Sequence, residues 1–209
     1  RKDGIGGEDI FLFDKNSKDV SVINSLSTYD GNEAPLSISA DGNTILIWNN
    51  ENKGDIYYSN KTINGWTEPV PFPSPINSDY YEGDAQLTSD GKSMLFVSSR
   101  PGGYGIHTDN SFQYHGDNEY PTDIYICHLD ENDNWSAPIN LGPEINTKYT
   151  ERSPFLHPDG RTLYFSSDGL YGLGRLDVFM TTKINDSLWN QWKKPKNLGL
   201  RKPKMFLGF

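Results

Sequence analysis

The chain has 209 residues, a formal net charge of -9, one cysteine and 34% hydrophobic residues. That length suits one domain or a piece of one, and the acidic balance speaks against a basic nucleic-acid surface. A single cysteine, Cys127, excludes an internal disulfide, and no run of about 18 apolar residues is present to cross a membrane as a helix.

Aromatic residues make up 13% of the chain, so Tyr, Phe and Trp can supply a core that the aliphatic content alone would not. The 20 Gly and 13 Pro predict many turns and short strands.

Taken in chain order, the first strand signature is "DIFLF" from Asp9, closed by "INS" at Ile23. A fuller unit follows. Glu33 is its first marker, and the Asp41-Gly42 turn precedes the apolar run Ile45-Leu46-Ile47. The unit then gives "DIYYS" from Asp55, "WTEP" from Trp66 and "INS" from Ile76. The next unit repeats this order with Glu82, Asp90-Gly91, Met94-Leu95-Phe96, "DIYIC" from Asp123, "WSAP" from Trp135 and "INT" from Ile145. The last has Glu151, Asp159-Gly160, Leu163-Tyr164-Phe165, "DVFMT" from Asp177 and "WKKP" from Trp192. In every unit the glutamate lies eight residues before the turn aspartate.

Asp-Gly between two short apolar runs is a hairpin turn, because Gly accepts positive φ without penalty. The runs are β-branched or aromatic, with no useful helical period. Each unit therefore reads as about four strands: a strand, the Asp-Gly turn, a second strand, a Gly-rich loop, the Asp-led strand, a turn and the Trp strand. The turns are 49 residues apart (41 to 90) and then 69 (90 to 159). The first spacing fits a blade of about 40–50 residues. The second fits the same blade with about 20 residues inserted, at about 101–120, between two strands. A four-stranded sheet repeated at this period predicts an all-β fold, a β-propeller, whose blades cover one another's faces.

"SADGNTILI", "TSDGKSMLF" and "HPDGRTLYFSS", each followed by a "DIY"-type strand, resemble the PD40 repeat, the WD40-like repeat of TolB-type propellers. The resemblance covers residues 1–199, and residues 200–209 fall outside the pattern. Arg1 aligns with Arg100, so the sequence begins mid-blade, and "LGLRKPKMFLGF" departs from the repeat after Leu198-Gly199. The expectation is a partial propeller of three to four blades with an incomplete first blade; a closed four-bladed ring is the alternative. The fuller pattern is similar to envelope proteins of Bacteroidetes that join this propeller to TPR and OmpA-like domains, some in type IX secretion and gliding. That resemblance implies a periplasmic or outer-membrane-associated protein, although no signal peptide is visible.

Residues repeated at equivalent places read as structural, because a specific site breaks symmetry. This applies to the repeated Glu33, Glu82 and Glu151, whose alternative role is to line a channel. It also applies to the turn residues Asp41, Asp90 and Asp159, the strand-leading Asp55, Asp123 and Asp177, and Trp66, Trp135 and Trp192 between blades. The feature that breaks the symmetry is the insertion, with Tyr104, His107, Phe112, Tyr114, His115 and Tyr120. Inserted loops on a rigid scaffold are where binding tends to sit. His107 and His115 lack a third partner at ligand spacing, so no metal is expected. No nucleophile motif or phosphate loop is present, and no cofactor is expected.

The sequence thus predicts a non-catalytic scaffold that binds a protein partner in the bacterial envelope through residues 100–122, with no nucleic acid, membrane insertion or small-molecule ligand. Two other readings stand beside it: the propeller of a TolB-like hydrolase or lyase, and a glycan-binding propeller.

Overall fold

The computed structural model describes residues 9–27, 32–105, 112–114, 117–119 and 121–199. Strands β1 (Phe11–Phe13) and β2 (Val20–Val22) form an antiparallel hairpin ahead of the blades. Blade 1 contains β3 (Glu33–Ile38), β4 (Thr44–Asn49), β5 (Asp55–Thr62), β6 (Gly65–Trp66) and β7 (Val70–Pro71). Blade 2 opens with β8 (Glu82–Leu87) and β9 (Ser93–Ser98). A separate hairpin, β10 (Phe112–Tyr114) and β11 (Asp117–Glu119), interrupts it before β12 (Asp123–His128) and β13 (Ile139–Asn140). Blade 3 contains β14 (Glu151–Leu156), β15 (Thr162–Ser167), β16 (Asp177–Thr182) and β17 (Lys196–Asn197).

Each blade is antiparallel and runs in chain order, β8-β9-β12-β13 and β14-β15-β16-β17 in blades 2 and 3 and β3-β4-β5 in blade 1, where β6 and β7 both pair with β5. This is the all-β arrangement of partial propeller blades that the repeat predicts. Gly42, Gly91 and Gly160 take φ of 73°, 68° and 68° at the three Asp-Gly turns, a region closed to most L side chains. The repeated tryptophans differ from the sequence reading in one respect. Outside blade 1, where Trp66 ends the two-residue β6, they lie on no strand and make single bridges. Trp66 pairs with Lys61, Trp135 with Leu129 and Trp192 with Lys183, where the third strand turns back. The fourth strand is a two-residue pairing farther along, such as Tyr125 with Asn140 and Ile126 with Ile139.

Side chains alternate across each strand, and this alternation divides them between two neighbours. On β9, Met94 and Phe96 pack toward blade 1, while Leu95 and Val97 pack toward blade 3. On β12, Tyr125 and Cys127 face blade 1, while Ile124 and Ile126 face blade 3. Three apolar cores result, one ahead of each blade, and Trp66, Trp135 and Trp192 pack one into each. The first strands adjoin one another: Ser37 Oγ donates to the Ala85 carbonyl at 2.8 Å, and Gln86 Oε1 accepts the Leu156 N–H at 2.7 Å.

The Ile-Asn segments clip successive blades together. Asn77 Oδ1 accepts the Ile56 N–H at 2.9 Å, and its Nδ2 donates to the Ile56 carbonyl at 2.9 Å. Asn146 does the same to Ile124 in blade 2, at 2.8 and 2.9 Å.

Candidate functional site

The repeated glutamates are sealed between blades and do not line an open channel. Glu33 is 2% exposed, and Glu82 and Glu151 are 0%. A buried carboxylate must be hydrogen-bonded or it costs several kcal/mol. Glu151 Oε2 accepts the Thr147 N–H at 2.8 Å, and Oε1 accepts the hydroxyls of Thr147 at 2.8 Å and Ser167 at 2.7 Å. Glu82 Oε2 accepts the Ser78 N–H at 2.9 Å, and Oε1 accepts the hydroxyls of Ser78 and Ser98, each at 2.6 Å. Arg100 adds a cation to this second set, with Nη2 3.1 Å from Glu82 Oε1. In blade 1, Asn49 Nδ2 donates to Glu33 Oε1 at 3.3 Å.

The strand-leading aspartates collect N–H groups from the glycine-rich loops before them. Asp123 accepts from Tyr104 at 2.7 Å, Gly105 at 3.2 Å and Asn140 Nδ2 at 2.7 Å. Asp177 accepts from Leu173 at 2.5 Å and Gly174 at 3.0 Å. A Cβ at Gly103 would collide with the Asp123 carboxylate, and one at Gly172 with that of Asp177. These glycines are therefore required by close approach. Asp55 accepts from Asn52 Nδ2 at 3.1 Å, and burial pushes its carboxyl above the usual range.

The turn aspartates are held below the usual carboxylate range. The Ser39 hydroxyl is the main cause at Asp41, and the Thr88 hydroxyl at Asp90. At Asp159 the N–H groups of Thr162 and then Arg161 bring the value down to about 2.

Of the insertion residues, Tyr104 is exposed, with its N–H tied to Asp123. Phe112 and Tyr114 lie on β10, in register with Glu119 and Asp117. His107, His115 and Tyr120 lie outside the described residues. The structure thus places the root of the loop on the blade 2 carboxylate.

Sequence reasoning missed a groove of about 320 Å³ between the turn ends of blades 2 and 3. Ser93, His157, Lys183 and Trp189 line it. The Lys183 Nζ donates to the Asp186 carbonyl at 2.8 Å and lies 3.5 Å from the centre of the Trp189 ring. Burial lowers the pKa of Lys183 and of His128, whose Nδ1 lies 2.8 Å from Ser93 Oγ. Ser93 and His128 look like a nucleophile and base, but they are also directly opposite each other on β9 and β12. The equivalent pair in blade 1, Thr44 and Asn60, makes the same cross-strand bond at 3.0 Å. A contact written into two blades is strand pairing. Among the described residues, no group of three or more His, Cys, Asp or Glu could hold a metal ion.

No protein-family model matches the sequence, and the search of curated proteins found no match. Among solved structures, the chain is similar to TolB from Agrobacterium tumefaciens, with a TM-score of 0.57 and 16% identity. The fold is a TolB-like β-propeller. The likeness covers 93% of this chain and 57% of that one, so the chain spans little more than half the TolB length. A second structure, acylaminoacyl peptidase from Pyrococcus horikoshii, has a TM-score of 0.41 and 15% identity over 90% of this chain and 27% of that one.

Proposed function

We propose that this chain is a non-catalytic propeller scaffold of the bacterial cell envelope, holding a protein partner through the loop between β9 and β12. The observation that carries the reading is the contrast between repeated and unrepeated residues. Glu82, Glu151, Asp123 and Asp177 have donors from their own blade or the joint beside it. The β10–β11 insertion has no counterpart in blades 1 and 3. A blade that anchors the root of an inserted loop, as Asp123 does at Tyr104 and Gly105, lowers the ordering cost of binding.

The test is capture of a partner from envelope extract by the full chain and by a variant lacking residues 101–120. Loss of the partner with the loop supports the reading, and unchanged capture overturns it. The catalytic half has its own test: a serine-reactive phosphonate probe that labels Ser93 would show that the Ser93–His128 pair is reactive.

A further inference from the structure

The groove between blades 2 and 3 breaks the symmetry of the repeat, as the insertion does. The turn that joins the third strand to its tryptophan covers residues 62–65 in blade 1 and 130–134 in blade 2, but 184–191 in blade 3. The longer turn carries Trp189, which has no counterpart in the other two. Trp189 reaches blade 2, with its ring centre 5.6 Å from that of His128, and it lies 6.3 Å from the ring of Trp192. Lys183 stands where blade 2 has Leu129, and His157 stands where blade 2 has Thr88. The groove lies at the Ser93 end of β9, whereas the insertion follows Ser98 at the other end.

The lining supplies both donors and acceptors. Lys183 Nζ spends one of its three hydrogens on the Asp186 carbonyl, at 2.8 Å. His157 Nδ1 accepts the Asp159 N–H at 3.2 Å, which in the neutral ring leaves the hydrogen on Nε2. Asp90 Oδ1 accepts the Thr88 hydroxyl at 2.6 Å and the Lys92 N–H at 3.0 Å, leaving Oδ2 to accept another bond. These bonds, and the N–H groups on Asp159, keep both carboxylates ionised at neutral pH. The two carboxylates repel an anionic ligand, and the ammonium of Lys183 opposes a cationic one. What remains is a neutral ligand with hydroxyls that both donate and accept and an apolar face to lie on the half-buried Trp189 ring. The groove, at about 320 Å³, is near the small end of ligand sites, which run from about 300 to 1,000 Å³.

We infer that this groove binds a neutral saccharide, stacked on Trp189 with its hydroxyls bonded to Asp90, His157 and Lys183. Trp189 is fixed before binding, because it packs against the core and its carbonyl holds Trp192 Nε1 at 2.7 Å. A fixed platform loses little freedom when a ligand arrives. The site is separate from the loop proposed to hold a protein partner.

The test is titration of the full chain with maltotriose, cellotriose, chitotriose and xylotriose, read by tryptophan fluorescence and by calorimetry. Saturable binding of at least one is expected. Trilysine and trigalacturonate, the cationic and anionic counterparts, should not bind. Trp189→Ala should abolish saccharide binding. Because Trp189 packs on Trp192, a second variant guards against misfolding. His157→Ala, whose side chain is 51% exposed, should keep the wild-type urea midpoint and bind about tenfold more weakly. Deletion of residues 101–120 should leave saccharide binding unchanged, so this inference and the loop reading fail separately. Absence of saturable binding across the four saccharides overturns the inference, as does binding that survives both substitutions or that prefers trilysine or trigalacturonate.

Discussion

Asn146 treats Ile124 as a strand would: its Oδ1 accepts the Ile124 N–H at 2.8 Å while its Nδ2 donates to the Ile124 carbonyl at 2.9 Å. Asn140 Oδ1 takes the second Nδ2 hydrogen at 2.8 Å. One side-chain amide thus completes the edge of blade 2 from the segment that leads into blade 3. Thr147, the next residue, gives both its N–H and its hydroxyl to Glu151 of blade 3.

Asn146→Ala should be among the more destabilising polar substitutions in the chain. It leaves the Ile124 N–H buried without its acceptor, which costs about 1–3 kcal/mol. Asn77→Ala should behave alike, because Asn77 makes the same pair of bonds to Ile56. Urea midpoints of the two variants, compared with wild type, test this.

Glu82→Gln and Glu151→Gln should differ, although the two residues are equivalent. At Glu151, one oxygen faces a fixed donor, the Thr147 N–H, and the other faces only hydroxyls. Hydroxyls can turn to accept from an amide NH2, so Gln fits there. At Glu82, both oxygens face fixed donors, the Ser78 N–H on one and Arg100 Nη2 on the other. Gln must then point its NH2 at one of them. The expected loss for Glu82→Gln is about 1–3 kcal/mol, with Glu151→Gln well below it. Comparable urea midpoints for the two variants would contradict this.

Stability should fall as pH rises past the ordinary glutamate range. Burial, set against the Thr147 and Ser167 bonds, raises the Glu151 carboxyl from 4.5 to about 7. The unfolded chain releases that proton near 4.5, while the native chain keeps it until about 7. Between these values the native state binds more protons, so rising pH favours unfolding. Urea midpoints at about pH 5 and about pH 8 should show the decline, and Glu151→Gln should flatten it.

Cys127 should resist thiol reagents in the native protein. The side chain is 0% exposed, and burial pushes its thiol up to about 12. The thiolate is the reactive form. Labelling should therefore follow opening of the core between blades 1 and 2, and should accelerate with urea. Rapid labelling without denaturant would show that this core is looser than its packing implies.

Trp192→Ala should cost more than Trp66→Ala. Trp192 is 2% exposed and donates its Nε1–H to the Trp189 carbonyl at 2.7 Å. Trp66 is only half-buried at the edge of the first core. Truncating a buried Trp costs about 3–5 kcal/mol. Thermal unfolding of both variants reads the difference.

The blade order was legible because its signals are local. Asp-Gly at 41, 90 and 159 marks turns whose glycines all take positive φ. The alternation of Met94, Leu95, Phe96 and Val97 marks a strand buried on both faces. The insertion was legible as extra spacing between two copies of one pattern. The tryptophans were read into the fourth strand because Trp-x-x-Pro follows a turn in sequence, whereas hydrogen bonding places them at the closing end of the third. Lys183 gave no signal at all. Its burial depends on Trp189 and on the neighbouring turn of blade 2, and neither relation has a fixed spacing.

By itself the sequence determined the period, the turns, the strand faces and the one place where the repeat is interrupted. These follow from glycine φ, from the two-residue alternation of strands and from counting. Only the tertiary structure decided what the repeated polar residues do. It placed Glu82 beside Arg100, 18 residues away along the chain, and gave Glu151 the N–H of Thr147 and the hydroxyls of Thr147 and Ser167. It also decided that Lys183, a residue type at home on a surface, is 3% exposed beneath Trp189. A residue's type sets what it can bury against, but which face meets a neighbour depends on the packing of whole blades.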